Sequence, residues 1–147
     1  MRETSVPKIW DRKGLPGWAY HSCKLLELEK DLVFLSSWQL VCHISDVEKK
    51  GDFMTFDLCN ERILILRDEE HNIQVFNNLC RHRGSKVIAN KEGNCNALVC
   101  PFHGWVYNLN GTLRGVSKPE SFPKIDKKKF GLKKIEFEIW NGFIYSF

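Results

Sequence analysis

Two short stretches of the chain hold its most distinctive chemistry. "NLCRHRGS", residues 78 to 85, sets Cys80 and His82 one residue apart, and "VCPFHGWVY", residues 99 to 107, sets Cys100 and His103 two residues apart. Thiolate and imidazole are the donors that borderline and soft metals take. Neither pair alone is enough to hold an ion. Across seventeen intervening residues they make a set of four, Cys80-x-His82 and Cys100-x2-His103. A structural zinc can use two cysteines and two histidines, but those usually come as Cys-x2–4-Cys followed by His-x3–5-His. Here each stretch mixes the types. That suits a two-iron cluster in which each loop gives its cysteine to one iron and its histidine to the other, with structural zinc as the competing reading.

The elements that must position these donors read mostly as β. Short runs with strand character are "WQLVCHI", "DFMTFDL", "RILILR", "IQVFNNL", "ALVC", "WVYNL", "TLRGV", "KKIEFEIW" and "GFIYSF". Turn residues separate them, which predicts stacked antiparallel sheets. Asn110-Gly111 predicts a two-residue hairpin with both turn positions at positive φ. "RDEEHN" at 67 to 72 predicts a looser turn. One helix is expected at about 23 to 37, where Leu25, Leu28, Leu32 and Leu35 recur at helical spacing behind Ser22 as N-cap, with Glu27, Glu29 and Lys30 toward solvent. Residues 1 to 17, with Pro7, Gly14, Pro16 and Gly17, predict an extended arm. Residues 18 to 147 then form one domain with metal-binding loops at about 79 to 86 and 99 to 106.

"CRHRGS" together with "CPFHGWVY" resembles the Rieske box of bacterial ring-hydroxylating oxygenases. The likeness extends through "FLSSWQLVCHISDVEKKGDFMTFDL", "ERILILRDEEHNIQVFNNLCRHRG" and "IEFEIWNGFIYSF", so it covers roughly residues 18 to 147 of what is, in that family, the N-terminal domain of the large (alpha) subunit. The resemblance implies a mainly β Rieske iron–sulfur fold of stacked antiparallel sheets with one N-terminal helix. It also implies a 2Fe–2S cluster, with Cys80 and Cys100 on one iron and His82 and His103 on the other.

Around the four ligands, Gly84 suggests a tight packed turn and Arg83 a structural partner within it. Arg81 and Arg83 otherwise read as solvated charges or contacts for a redox partner. Trp105 reads as a lid packed over the cluster, and Tyr107 as a hydrogen-bond donor to it. In the respiratory-complex Rieske proteins each loop adds a cysteine and the pair forms a disulfide; Ser85 and Phe102 take those places here. A serine that donates to cluster sulfur in those proteins is replaced by Trp105. Fewer donors leave the reduced cluster less stabilised, so the potential is expected near the low end of the Rieske range of about −150 to +300 mV. Among the other cysteines, Cys42 and Cys59 read as small core residues, and His43, next to Cys42 on a strand, faces the opposite way. His21 and His71 read as surface histidines.

Composition sets the remaining bounds. A net charge of +4 over 147 residues is mild, no Lys/Arg-rich helix appears, and no apolar run is long enough to cross a bilayer. No nucleic acid and no membrane is therefore expected as partner. The N-terminus has no apolar secretion signal, so a cytoplasmic setting with six reduced cysteines (23, 42, 59, 80, 95 and 100) follows. The lysine run "KIDKKKFGLKK" reads first as a polar face and second as a dock for an acidic ferredoxin or reductase. The family's oxygen chemistry belongs to a mononuclear Fe(II) site with two histidines and a carboxylate. No such set is found here, so that catalytic domain is expected after residue 147. By the same likeness a reductase or ferredoxin supplies electrons, and the intact protein forms a trimer. The alternatives are a free-standing Rieske ferredoxin and a zinc-stabilised interaction module.

Overall fold

Alternation along one central strand organises the molecule. The computed structural model describes residues 14–122 and 125–146. In it ten strands run β1 (Gln39–His43), β2 (Asp52–Leu58), β3 (Glu61–Arg67), β4 (Ile73–Asn77), β5 (Glu92–Asn94), β6 (Leu98–Val99), β7 (Val106–Tyr107), β8 (Leu113–Gly115), β9 (Phe137–Trp140) and β10 (Phe143–Ser146). They form three antiparallel sheets, ordered β4-β3-β2-β5, β1-β10-β9 and β6-β7-β8. "ILIL" in β3 is buried on both faces. Leu64 and Leu66 join a core with Phe53, Phe76, Leu98, Trp105, Tyr107 and Leu109. Ile63 and Ile65, pointing the other way, join Cys42, Val47, Ile73, Val75 and Ile144. The sheet that launches the first cysteine loop is thus clamped between two apolar layers. No helix among the described residues is long and apolar enough to cross a membrane.

Each predicted strand run contains a strand. β5 was not foreseen, because its sequence Glu-Gly-Asn has no strand character; it pairs with β2 through Asp52–Asn94 to Met54–Glu92. The turn at Asn110-Gly111 differs from expectation. Only Gly111 has positive φ (82°), and Gly111 N–H donates to Asn108 O at 2.9 Å. The reversal therefore starts at Asn108, and buried Leu109 occupies a turn position because it fills the core beneath. The turn at 67 to 72 is built on Asp68. Its carboxylate accepts from the N–H groups of Glu70 and Asn72 and from Gln74 Nε2 at 2.8–2.9 Å. Burial opposes its ionisation, but these donors outweigh it and hold the Asp68 carboxyl below its ordinary range.

The N-terminal helix departs further. Ser22 caps it as expected, accepting from Leu25 N–H at 3.2 Å. α1 (Cys23–Glu29) nevertheless ends early and passes into a π-helical turn, Lys30–Phe34, with Leu35 N–H bonded to Lys30 O. Leu28, Leu32 and Leu35 are exposed, not buried. Helical spacing marks an apolar stripe but says nothing of what covers it, and no described element does. Cys59 is likewise no core residue: it is exposed, at φ 53°, in the turn between β2 and β3. Cys42 is buried, and burial raises its thiol to about 11. His43 caps the following 3-10 turn through Ser45 and is no ligand, while His21 and His71 are exposed. The arm expected at residues 1 to 17 lies outside the described residues except for its last four.

Candidate metal centre

The two Cys/His loops are built on one hydrogen-bond frame. In the first, Cys80 N–H donates to Ser85 O at 2.8 Å and Gly84 N–H to Cys80 O at 2.9 Å; in the second, Cys100 N–H donates to Trp105 O and Gly104 N–H to Cys100 O at the same two distances. Each frame closes only with a glycine four residues after the cysteine, and Gly84 (φ 69°) and Gly104 (φ 63°) supply it. The glycines differ in one respect. A Cβ on Gly104 would collide with Ser117 Oγ, whereas one on Gly84 would meet nothing. Gly84 therefore serves backbone conformation and not tight packing.

The loops bring the four predicted donors together as two like pairs. The Cys80 and Cys100 thiols are electrostatic neighbours, and both residues are buried, 4% and 2% exposed. His82 Nδ1 and His103 Nδ1 lie 3.1 Å apart, with the rings edge to face. Metal–imidazole bonds of roughly 2.0–2.1 Å set two nitrogens of one ion about 3.0–3.4 Å apart, so this spacing suits a shared metal. Among the described residues no three His, Cys, Asp or Glu side chains gather round one point. A structural zinc asks for four donors at a point, whereas a cluster whose irons each take two protein ligands asks only for pairs. The donors present fit the two-iron group.

Electrostatics agree with that fit. Burial, His103 and Arg83 all hold the His82 imidazole below its ordinary value, so it is neutral at pH 7, the form that binds metal. Burial pushes the Cys80 thiol up, against the Tyr107 hydroxyl and the His82 N–H, which both favour thiolate. Tyr107 is fully buried; its oxygen accepts from Arg81 N–H at 3.0 Å and lies 3.2 Å from Cys80 Sγ. Either group of a free thiol–hydroxyl pair can donate, but a metal-bound Cys80 thiolate has no proton to give, so with iron on the sulfur Tyr107 is the donor. Burial and the nearby thiols raise the Tyr107 hydroxyl well above its ordinary value, so the proton stays in place.

Trp105 is 2% exposed and stacks under the His82 ring, 5.0 Å between centroids and 8° between planes. It is a floor on the core side, not the lid expected. Phe122 closes edge-on against both rings. Arg83 is exposed, and its side chain forms no hydrogen bond or ion pair among the described residues. The structural role expected for it is not found; its charge faces His82 instead. Two contributors, Asn78 and Ser117, escaped sequence reasoning. Asn78, fully buried, accepts from Val87 and Ile88 N–H and donates to Ile88 O, tying down the return limb of the first loop. Ser117 Oγ donates to the His103 carbonyl. Of the two, only Asn78, next to the first box, had a local signal: a polar residue that ends an apolar strand. Lys133, from the lysine run that the sequence singled out, shares a cavity with Cys80, His82 and Arg83.

Comparison with known proteins agrees with this geometry. The Rieske [2Fe-2S] domain family matches residues 37–130. The alpha subunit of benzene 1,2-dioxygenase from Pseudomonas putida is 36% identical over 123 residues, 83% of this chain and 27% of that subunit. The oxygenase subunit of glycine betaine monooxygenase from Pseudomonas aeruginosa is 32% identical over 132 residues, 90% of this chain and 30% of that subunit. The chain thus spans less than a third of either relative. Naphthalene 1,2-dioxygenase from Rhodococcus superimposes with a TM-score of 0.81 at 26% identity, over 85% of this chain and 29% of that one. The quaternary ammonium Rieske monooxygenase CntA superimposes with a TM-score of 0.80 at 28% identity, over 90% and 39%. On its ligand boxes, its antiparallel sheets and these matches, the chain belongs to the Rieske [2Fe-2S] domain family.

Proposed function

We propose that residues 18 to 147 are the electron-relay domain of a Rieske oxygenase alpha subunit. In this reading Cys80 and Cys100 hold one iron of the cluster, and His82 and His103 hold the other. A reductase or ferredoxin is the source of electrons, and a mononuclear Fe(II) site in a catalytic domain outside this sequence is their destination, within a trimer. The observation that carries the reading is the pairing of donors, thiol beside thiol and imidazole beside imidazole with facing Nδ1 atoms 3.1 Å apart.

The bound cluster supplies one-electron storage; the chain's residues set where and how easily that happens. Both cysteines are buried while both histidines are partly open, so the imidazole edge is the one that faces an exchange partner. Tyr107 directs its proton at Cys80 and favours the more negative state, since a donor to sulfur binds it more strongly. Trp105 and Phe122 hold the His82 ring plane. With Trp105 where a hydroxyl donor would be, the potential belongs at the low end of the family's span. Parent substrate specificity lies with the catalytic domain.

The test is assembly. Protein purified without oxygen is expected to carry iron and acid-labile sulfide in equal amounts and to absorb visible light that bleaches on one-electron reduction. Colourless protein with bound zinc would contradict the proposal.

A further inference from the structure

One strained residue stands beside the metal centre. Among the described residues, positive φ outside glycine occurs at Cys59, His71, Lys118 and Asn141. Cys59 lies between β2 and β3, His71 between β3 and β4, and Asn141 between β9 and β10, so each turns a hairpin, where left-handed backbone is common. Lys118 turns none, because the strands on either side of it, β8 and β9, lie in different sheets. It has φ 50° and ψ 62°, and it precedes Pro119, whose ring pushes the residue before it toward extended backbone. Positive φ is costly for any residue with a Cβ, and such strain persists only where the surroundings impose it.

What the strain holds is the path from one donor loop to the other. Just before Lys118, Ser117 is bonded to the His103 carbonyl of the second loop. Just after it, Ser121 N–H donates to Lys118 O and Phe122 N–H to Pro119 O, both at 2.9 Å, round the 3-10 turn Pro119–Ser121. The turn ends at Phe122, which packs on the core and stands nearly perpendicular to both rings of the Trp105–His82 stack. The angles are 84° and 87°, with 5.6 Å between centroids in each case. Stacking on Trp105 fixes the tilt of the His82 ring but resists sliding and turning within the ring plane only weakly. A perpendicular ring at the corner of the stack blocks that motion. The direction matters because the Nδ1 lone pair lies in the ring plane and binds metal best along its own axis.

Resting on the electron-relay reading above, we infer that residues 118 to 122 are a positioning device for the first histidine ligand. The left-handed turn at Lys118 delivers Phe122 to the corner of the stack. Phe122 there fixes the in-plane direction of the His82 imidazole, and so the aim of its Nδ1 at iron. It touches the ligand and not the metal, which makes it a positioning residue.

The test uses cluster-loaded, one-electron-reduced protein and reads the hyperfine couplings of its ligand nitrogens by pulsed EPR. Phe122→Leu keeps apolar bulk but loses the flat edge, so one nitrogen coupling should weaken and broaden while the other holds its value. Phe122→Tyr keeps the ring and should preserve both. Phe130→Leu is the control: among the described residues Phe130 meets Trp105 edge-on but not His82, so both couplings should survive there. The turn is tested away from the ring. Lys118→Val and Lys118→Asn remove the same charge, but valine resists positive φ and asparagine accepts it. Lys118→Val should reproduce the Phe122→Leu spectrum and Lys118→Asn that of the unsubstituted protein; this pair carries the comparison if Phe122→Leu loads no iron. Unchanged couplings in Phe122→Leu, equal weakening of both, or the same change in Phe130→Leu would overturn the role of Phe122. Indistinguishable spectra from the two Lys118 variants would overturn the role of the turn. Iron and sulfide content of the same samples separates these outcomes from failure of the relay reading, which would leave even the unsubstituted protein without a cluster.

Discussion

The two donor loops share a backbone and differ in everything that braces it. Both close a cysteine N–H onto the carbonyl five residues later and both turn on a left-handed glycine. The first is held from below: Asn78 clamps its return limb, and Tyr107 reaches its Arg81 N–H and Cys80 sulfur. The second is held from the side, by Ser117 at the His103 carbonyl and by buried Trp105 at its closing residue. Their histidines also stand at different offsets, two residues after Cys80 and three after Cys100. A common frame thus sets the cysteines alike, and the bracing side chains bring unequal histidines to one point.

Removing a donor should break the pairing altogether, and this is the largest effect expected. His103→Ala leaves His82 alone, so iron content should fall to background and both loops should lose protection from amide exchange, since the centre is what ties them together. Retained iron and sulfide in that variant would show that the ligand assignment is wrong. Asn78→Ala, next in size, strips the first loop of its clamp and leaves the Val87 and Ile88 N–H groups without that acceptor. It should cost about 3 kcal/mol of unfolding free energy, read from a denaturant midpoint at unchanged slope. A loss below about 1 kcal/mol would mean that the first loop does not depend on this side chain.

Tyr107→Phe tests chemistry more than stability. It deletes the donor to Cys80 while keeping the ring, so the reduced state loses about 1 kcal/mol more than the oxidised one and the midpoint should drop by a few tens of millivolts. An unchanged or raised potential would refute the directed proton. Ser117→Ala should be the mildest. Only the second loop loses a bond, worth about 1 kcal/mol or less, and exchange at Gly104 should quicken while residues 80 to 86 stay protected. Equal loosening of both loops would mean that they are not braced separately.

The ligands were legible because metal chemistry restricts residue type and spacing locally, within "CRHRGS" and "CPFHGWVY". The strands were legible because β3 and its neighbours alternate or run apolar between turns. The braces were not, since Ser117 meets His103 across fourteen residues and Tyr107 meets Cys80 across twenty-seven. Such contacts exist only once the strands that carry the two loops have paired and packed. The leucine stripe of α1 misled for a related reason: periodicity reports an apolar face, and burial depends on a partner that the described chain does not provide. Cys59 was misplaced because an apolar strand was carried one residue too far, into a turn at positive φ.

The pairing itself is tested most directly by iron Mössbauer spectroscopy of the one-electron-reduced, iron-57-enriched protein. Two iron sites in equal amount, one in a sulfur-only environment and one with nitrogen donors that carries the added electron, are the expected result. A single iron environment, or two sites that share the electron equally, would contradict the assignment of Cys80 and Cys100 to one iron and His82 and His103 to the other.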